Sequence, residues 1–343
     1  MVMSARGNRA NRQTIRDTWA SDASNVYFVI GEPCVVHPEL RADEIRCEDA
    51  GVTAAGAAAV RESEYAAFLE EEAAFLAEEQ AKNGDIVAGS FIDVYAHLPA
   101  KAKVAFDFAV WNFPDVQFVH KSDDDQYLKV ASLRSYLLVN KANLMPARSK
   151  LWAMGNVKTN TNIDVNPASK NRERGVDLAP YFVERLKRGD RDAKTKYPPW
   201  PKGSYGYTIS AGLARYISDN SARLWEFQGE DVSVGIWIDE ARVNNPKFKE
   251  VLLKEGIDSG IDLFSSMRYS SWGAGDCLGP GGAEGPSTRP VFLSVGHRLT
   301  DEEMRECHEK GKAPMFETVE ETHEDLGRKT FNWFGRTMQG NKM

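Results

Sequence analysis

No apolar run in this 343-residue chain is long enough to cross a bilayer as a helix. No Asn-x-Ser/Thr triplet occurs, so these residues offer no ordinary N-glycosylation acceptor. Positive charge is not in excess: 43 Lys and Arg stand against 50 Asp and Glu, a formal net charge of -7. That balance excludes a nucleic-acid surface as the main business of the protein. Cysteine is scarce. The four present, Cys34, Cys47, Cys277 and Cys307, lack zinc-finger spacing. Two disulfides in an oxidising compartment and four buried thiols both remain open. Internal repeats and domain linkers are also missing.

What is present is ordinary globular material, 42% hydrophobic and 27% charged, enough for a large α/β core. Residues 8–20 pattern as a helix with Ile15 and Trp19 on one face and Arg9, Arg12 and Arg16 on the next. "NVYFVIG" (25–31) reads as a buried strand. The Ala- and Glu-rich stretch up to Gly84 reads as an amphipathic helix, with Tyr65, Phe68, Leu69 and Leu76 facing the core and its acids facing water. "GDIVAGSFIDVYAHLPAKAKVAFDFAVWNF" gives strand, loop and helix, with Pro99 in the helix's first turn. "VQFVH" is a strand, "VASLRSYLLVN" a helix and "KLWAMGNV" a strand. Residues 158–196 read as an irregular insertion with one helix near Phe182–Leu186. "YPPWPKGSYGYTIS" is rich in proline, glycine and aromatics and leads into a helix at "AGLARYI". "GEDVSVGIWIDEA" is a further helix, "GAGDCLGPGGAEGP" a loop and "RPVFLSVGH" a strand. Strands alternating with helices predict a mostly parallel central sheet flanked by helices.

"QFVHKSDDDQYL" (117–128) runs the "VQFVH" strand into Asp123, Asp124 and Asp125. Open α/β sheets place ligands beyond the carboxyl ends of their strands. Carboxylates there suit a hard cation such as Mg²⁺ or Mn²⁺, which relieves their mutual repulsion and binds substrate phosphates. A solvated acidic turn is the alternative. Phosphate-ester hydrolysis through an aspartyl-phosphate is one chemistry for such a site, but Gln126 and Tyr127 stand where it wants a small Thr or Val. Sugar transfer from a nucleotide sugar is the other, with a divalent ion neutralising the departing diphosphate.

Six segments in order, "RQTIRDTW", "FVIG", "GDIVAGSFIDVYAHLPAK", "FVHKSDDDQYL", "YPPWPKGSYGYTIS" and "GEDVSVGIWI", resemble the β-1,3-galactosyltransferase and Fringe-related group, glycosyltransferase family 31. "LSVGH", ending at His297, is similar to the family's late histidine segment. "YPPW" with "EDVSVGIWI" looks most like the branch that adds galactose to the proteoglycan linkage region. Pro99 departs from the threonine of the family's Leu-Thr-x-Lys element, the cysteine often found upstream of the aspartates is absent, and residues 158–196 look expanded.

The resemblance implies a single nucleotide-sugar transferase domain of the GT-A type over 1–310, followed by a polar tail over 311–343. It implies an inverting, metal-dependent transfer of a hexose, galactose first, from a UDP-sugar to a glycan or glycoprotein. Asp125, Asp123 and His297 are the implied Mn²⁺ (or Mg²⁺) ligands. Arg12, Arg16, Lys121, Asp123 and Asp124 are candidates for the donor; the alternatives are a salt-bridged or solvated helix face for the two arginines and a purely turn-shaping role for Asp124. Strand alternation puts Lys121 on the same side as Asp123, where it contacts the donor or offsets the aspartate charge. Trp200, Gly203, Gly206 and Tyr207 are candidates for the donor and acceptor pocket. Asp231, ahead of Glu230, is the implied catalytic base; the alternative for both is the preference of acids for a helix N-terminus. The family also implies a type II Golgi protein held by a membrane anchor upstream of Met1, with "VMS" (2–4) as the end of a strand that starts earlier. A phosphohydrolase and a non-catalytic carbohydrate- or metal-binding relative are the competing readings.

Overall fold

The computed structural model describes residues 1–139, 151–173, 180–244, 261–265, 294–295 and 298–312, apart from 51–56 and the single positions 22, 44, 168, 188, 190 and 193. Among the described residues the main sheet has seven strands in the order β10-β6-β9-β4-β1-β2-β3. They are β1 (Val2–Met3), β2 (Phe28–Glu32), β3 (Ile86–Ile92), β4 (Phe118–Asp123), β6 (Leu151–Gly155), β9 (Tyr207–Ser210) and β10 (Ile261–Ser265). β1 pairs parallel with β2 and β4, β2 with β3, and β6 with β10. β9 alone runs antiparallel, between β4 and β6. The result is a mixed, mostly parallel α/β sheet, as a GT-A-like domain requires.

Helices α1 (Arg9–Asp17), α2 (Ala57–Asn83), α3 (Leu98–Asn112), α4 (Val130–Val139), α5 (Pro180–Lys187), α6 (Ala211–Asn220), α7 (Glu230–Asn244) and α8 (Asp301–Lys312) flank the sheet. Their packing faces explain their boundaries. Pro99 occupies the first turn of α3, where no backbone N–H is needed. Ser210 caps α6, its hydroxyl accepting from Leu213 N at 3.2 Å. Ala102, Ala105, Phe106 and Ala109 of α3 bury against Leu213, Ala214 and Ile217 of α6 and Val234, Trp237 and Ala241 of α7. α5 falls on the helix expected within residues 158–196, and α8 runs two residues past the expected domain boundary at 310.

Two expectations are corrected. β9 sits at the centre of the sheet, where the sequence suggested only a proline-rich lead-in to a helix; the buried run Tyr207, Thr208, Ile209, Ser210 is covered on both faces. On α2 the acids do not all face water. Glu79 is 3% exposed while Phe68 is 53% exposed. The reason is the arginines of the first helix and of the turn before it. Arg6 pairs with Glu72 at 2.7 Å, Arg12 with Glu79 at 2.7 Å, and Arg16 with Glu79 and Asp85, both at 2.8 Å. Burial opposes the Glu79 charge, but the two guanidiniums hold its carboxyl below the usual range.

Arg12 therefore fastens α1 to α2. Nε and Nη2 bond Glu79 at 2.8 and 2.7 Å, Nη1 bonds Ser4 Oγ at 3.1 Å and Ala5 O at 2.6 Å, and Nη2 also bonds Arg6 O at 3.1 Å. All five N–H donors of the guanidinium are used, which matches the salt-bridged alternative for this residue. Arg12→Met strips Glu79 of a buried partner and is expected to lower unfolding free energy by about 3–5 kcal/mol. Denaturant titration measures that loss. A variant of ordinary stability that fails to bind a nucleotide sugar would restore the donor-binding role.

The open question of the cysteines is resolved for three of them. Cys34 and Cys47 form a disulfide that closes the loop after β2, and Cys307 is also disulfide-bonded. Cys277 and the loop 273–286 lie outside the described residues. No helix among the described residues is long and apolar enough to cross a membrane.

Candidate active site

β4 carries Lys121 and Asp123 out of the sheet on one side, as alternation requires, and the chain turns through Asp124 and Asp125. α7 starts at Glu230 and points its first turn at the same place. The two meet around Lys121. Its ammonium stands 2.5 Å from Asp123 Oδ1 and 2.7 Å from Glu230 Oε1, the latter as an ion pair rather than a well-angled hydrogen bond. Lys121 Nζ also donates to Gly203 O at 3.3 Å. Gly203 N donates to Asp231 Oδ2 at 2.8 Å, so one residue ties both segments through its two flanking peptide groups. A Cβ on Gly203 would run into the Glu230 carboxylate, so glycine is required by close approach. Gly206 follows with φ +69°, and a Cβ there would meet Lys121 O at 2.9 Å.

Burial and like charge set the ionisation of this cluster. Burial and then the Glu230 charge lift Asp231 to about 7, although backbone N–H groups of Gly203 and Val232 pull the other way. Burial lifts Asp123 to about 6 against the attraction of Lys121. Burial works against the Lys121 ammonium, yet Asp123 and Glu230 raise its pKa above the ordinary lysine value. Groups whose ionisation burial and partner charges move toward neutrality mark a site capable of proton transfer.

The three aspartates have separate roles. Asp124 is 8% exposed and accepts from Ser4 Oγ at 2.7 Å and Asn8 Nδ2 at 3.0 Å. Its carboxylate shapes the turn onto the start of α1, the alternative role for this residue. Asp125 Oδ2 accepts from Arg298 N at 3.0 Å, and Asp125 O accepts from Leu299 N at 3.0 Å. His297 lies outside the described residues. Its neighbour in the chain, Arg298, is nevertheless held against Asp125, and β11 (Ser294–Val295) pairs antiparallel with β5 (Tyr127–Leu128) just after the aspartates. Among the described residues no three His, Cys, Asp or Glu side chains form a metal-binding group. The donor set at hand, Asp123 and Asp125, is all hard carboxylate oxygen, which fits Mn²⁺ or Mg²⁺.

Arg16 is engaged by Asp85 through two bonds of 2.8 Å and stacks its guanidinium 4.8 Å from the centre of the Phe28 ring. That fastening, like the one at Arg12, matches the salt-bridged alternative for this residue. Tyr207 is fully buried beneath the cluster and its hydroxyl has no hydrogen-bond partner among the described residues. It forms a floor rather than a pocket wall, and burial with the charges of Glu230, Asp231 and Asp123 pushes its phenol well above the ordinary range. Trp200 (β8, Trp200–Pro201) packs on α7: a Cβ on Gly235 would strike it.

The sequence reading assigned no role to Tyr95. Burial first, then the charges of Glu230, Asp231 and Asp123, raise its phenol to about 12. Its hydroxyl donates to Asn171 Oδ1 at 2.8 Å. The signal was its place in "DVYAHLPAK", just after β3. Beside it, Asp93 pairs with the buried Lys101 at 2.5 Å, and Lys101 donates to Ser4 O at 2.8 Å, closing the strand ends. A cavity of about 660 Å³ lies elsewhere, lined by Trp19, Phe118, Leu133 and Leu137, and none of Asp123, Glu230 and Asp231 borders it.

A family model described as Galactosyltransferase matches residues 69–249, more than half of the chain. Similar proteins include UDP-GalNAc:beta-1,3-N-acetylgalactosaminyltransferase 2 of Homo sapiens, 28% identical over 206 residues, 60% of this chain and 35% of that one. Hydroxyproline O-galactosyltransferase GALT2 of Arabidopsis thaliana is 25% identical over 241 residues, 70% of this chain and 28% of that one. Beta-1,3-galactosyltransferase 6 of Mus musculus is 28% identical over 174 residues, 50% of this chain and 46% of that one. The chain thus spans less than half the length of each of these relatives.

Proposed function

The chain belongs to the β-1,3-galactosyltransferase family, and on that premise we propose that it transfers a hexose, galactose first, from a UDP-sugar to a hydroxyl of a glycan or glycoprotein, with inversion. The observation that carries the reading is the meeting of the aspartate turn with the start of α7 across Lys121 and Gly203. Asp231 takes the proton of the acceptor hydroxyl as its oxygen bonds the anomeric carbon. The bond from that carbon to the diphosphate breaks as the new one forms. Asp125 and Asp123, with His297 from the late segment, would hold a divalent cation, which when bound would neutralise charge on the leaving UDP. The disulfide after β2 supports residence in an oxidising lumen, and with the family's habit a Golgi one.

UDP release from UDP-galactose, UDP-N-acetylgalactosamine and UDP-N-acetylglucosamine, with and without Mn²⁺, tests the reading. Its pH dependence carries the sign of Asp231. A base lifted to about 7 is protonated below that pH, so the rate is expected to rise about tenfold per unit below it and level off above. Phosphate release from simple esters, with UDP-sugars untouched, would favour the hydrolase. UDP binding with no turnover of any donor would favour a non-catalytic relative.

A further inference from the structure

We propose that Lys121 is a positioning residue that locks the aspartate turn to the start of α7, and that it makes no contact with the sugar nucleotide. An ammonium has three N–H groups. Three oxygens surround this one: Asp123 Oδ1 at 2.5 Å, Glu230 Oε1 at 2.7 Å and Gly203 O at 3.3 Å. The side chain is 1% exposed and sits 5.7 Å from the centre of the Tyr207 ring, its partner across the β4–β9 ladder. No direction remains from which a diphosphate could reach it.

The lock has a second strand. Gln126 Nε2 donates to Gly203 O at 3.2 Å, and Gln126 Oε1 accepts from Asp123 N at 3.1 Å and Ser122 Oγ at 3.0 Å. Gly203 N in turn holds Asp231 at 2.8 Å. One cation and one residue, Gly203, therefore fix three carboxylates from segments more than a hundred residues apart. Without the cation, Asp123 and Glu230 would face each other buried and unscreened, which drives the segments apart. The catalytic consequence rests on the transfer reaction proposed above; the structural consequence does not.

A double-mutant cycle in the whole chain separates the two. Glu230→Gln alone is expected to lower the unfolding midpoint, because it weakens the pair. Added to Lys121→Met it is expected to raise the midpoint, because it removes one of two stranded charges. Where Lys121→Met alone fails to fold, recovery of folding in the double variant is the same result. In the folded Lys121→Met protein, calorimetry with UDP and Mn²⁺ is expected to show a loss of roughly 10–100-fold in affinity through the displaced Asp123 carboxylate, with kcat falling roughly 100-fold through misplacement. The double variant, relieved of one stranded charge, is expected to regain most of the affinity. A double variant no more stable than Lys121→Met overturns the lock. A UDP affinity that stays about tenfold or more below wild type in a double variant of recovered stability makes Lys121 a donor contact and overturns the proposal as well. If the wild type turns over no UDP-sugar, the transfer reading fails, and the stability cycle still decides the lock.

Discussion

Asp231→Asn is expected to lower sugar transfer by roughly 10²–10⁴-fold, the usual worth of a positioned general base. Mn²⁺-dependent UDP binding is expected to persist, because Asp231 lies on α7 and not on the aspartate turn. The substitution is not silent structurally. Asp231 accepts from Gly203 N at 2.8 Å and from Val232 N at 2.8 Å. An amide can accept one of these and must turn its NH₂ toward the other, a local cost of about 1 kcal/mol. Transfer rates must therefore be normalised to folded protein. Glu230→Gln is the control: its loss is expected to be smaller, since Glu230 is committed to Lys121. If Glu230→Gln is the more inactive of the two, the base is Glu230. If both transfer at near wild-type rates, the acidic pair serves only the helix N-terminus.

Asp125→Asn is expected to damage binding and transfer together. Its carbonyl oxygen can still accept from Arg298 N, so the turn keeps its shape. The lost anionic oxygen, however, is a direct ligand in the proposed site. Losing even an outer partner of a metal ligand costs roughly 10–100-fold in affinity, and a ligand no less. Calorimetry of UDP binding across a Mn²⁺ titration is expected to show the coupling between the two collapse, and His297→Ala is expected to weaken the same coupling. Unchanged Mn²⁺-linked UDP binding in Asp125→Asn would remove Asp125 from the metal site. The Asp231 and Asp125 variants thus separate proton transfer from donor capture.

Much of the fold was legible because helix and strand periods are written in neighbouring residues. α1, α3, α4, α6 and α7 fall where apolar spacing and end signals put them, within a few residues. β2 begins later than expected, after Asn25 takes a positive φ of 67°. Strand alternation was enough to place Lys121 beside Asp123. The acidic start of α7 was legible too, though its facing partner was not.

What the sequence by itself determined, then, was the order of elements, the end of β4 as a place for carboxylates, and the apolar faces that build the core. The tertiary structure alone decided how buried polar groups find partners. Whether Glu79 faces water or Arg12, and whether Arg16 faces water or Asp85, depend on segments distant in the chain. So does the antiparallel entry of β9 between β4 and β6. An apolar side chain is satisfied by any core, so its fate is local and periodic. A buried ion or peptide group needs one specific partner at hydrogen-bond distance, and only the folded chain supplies it.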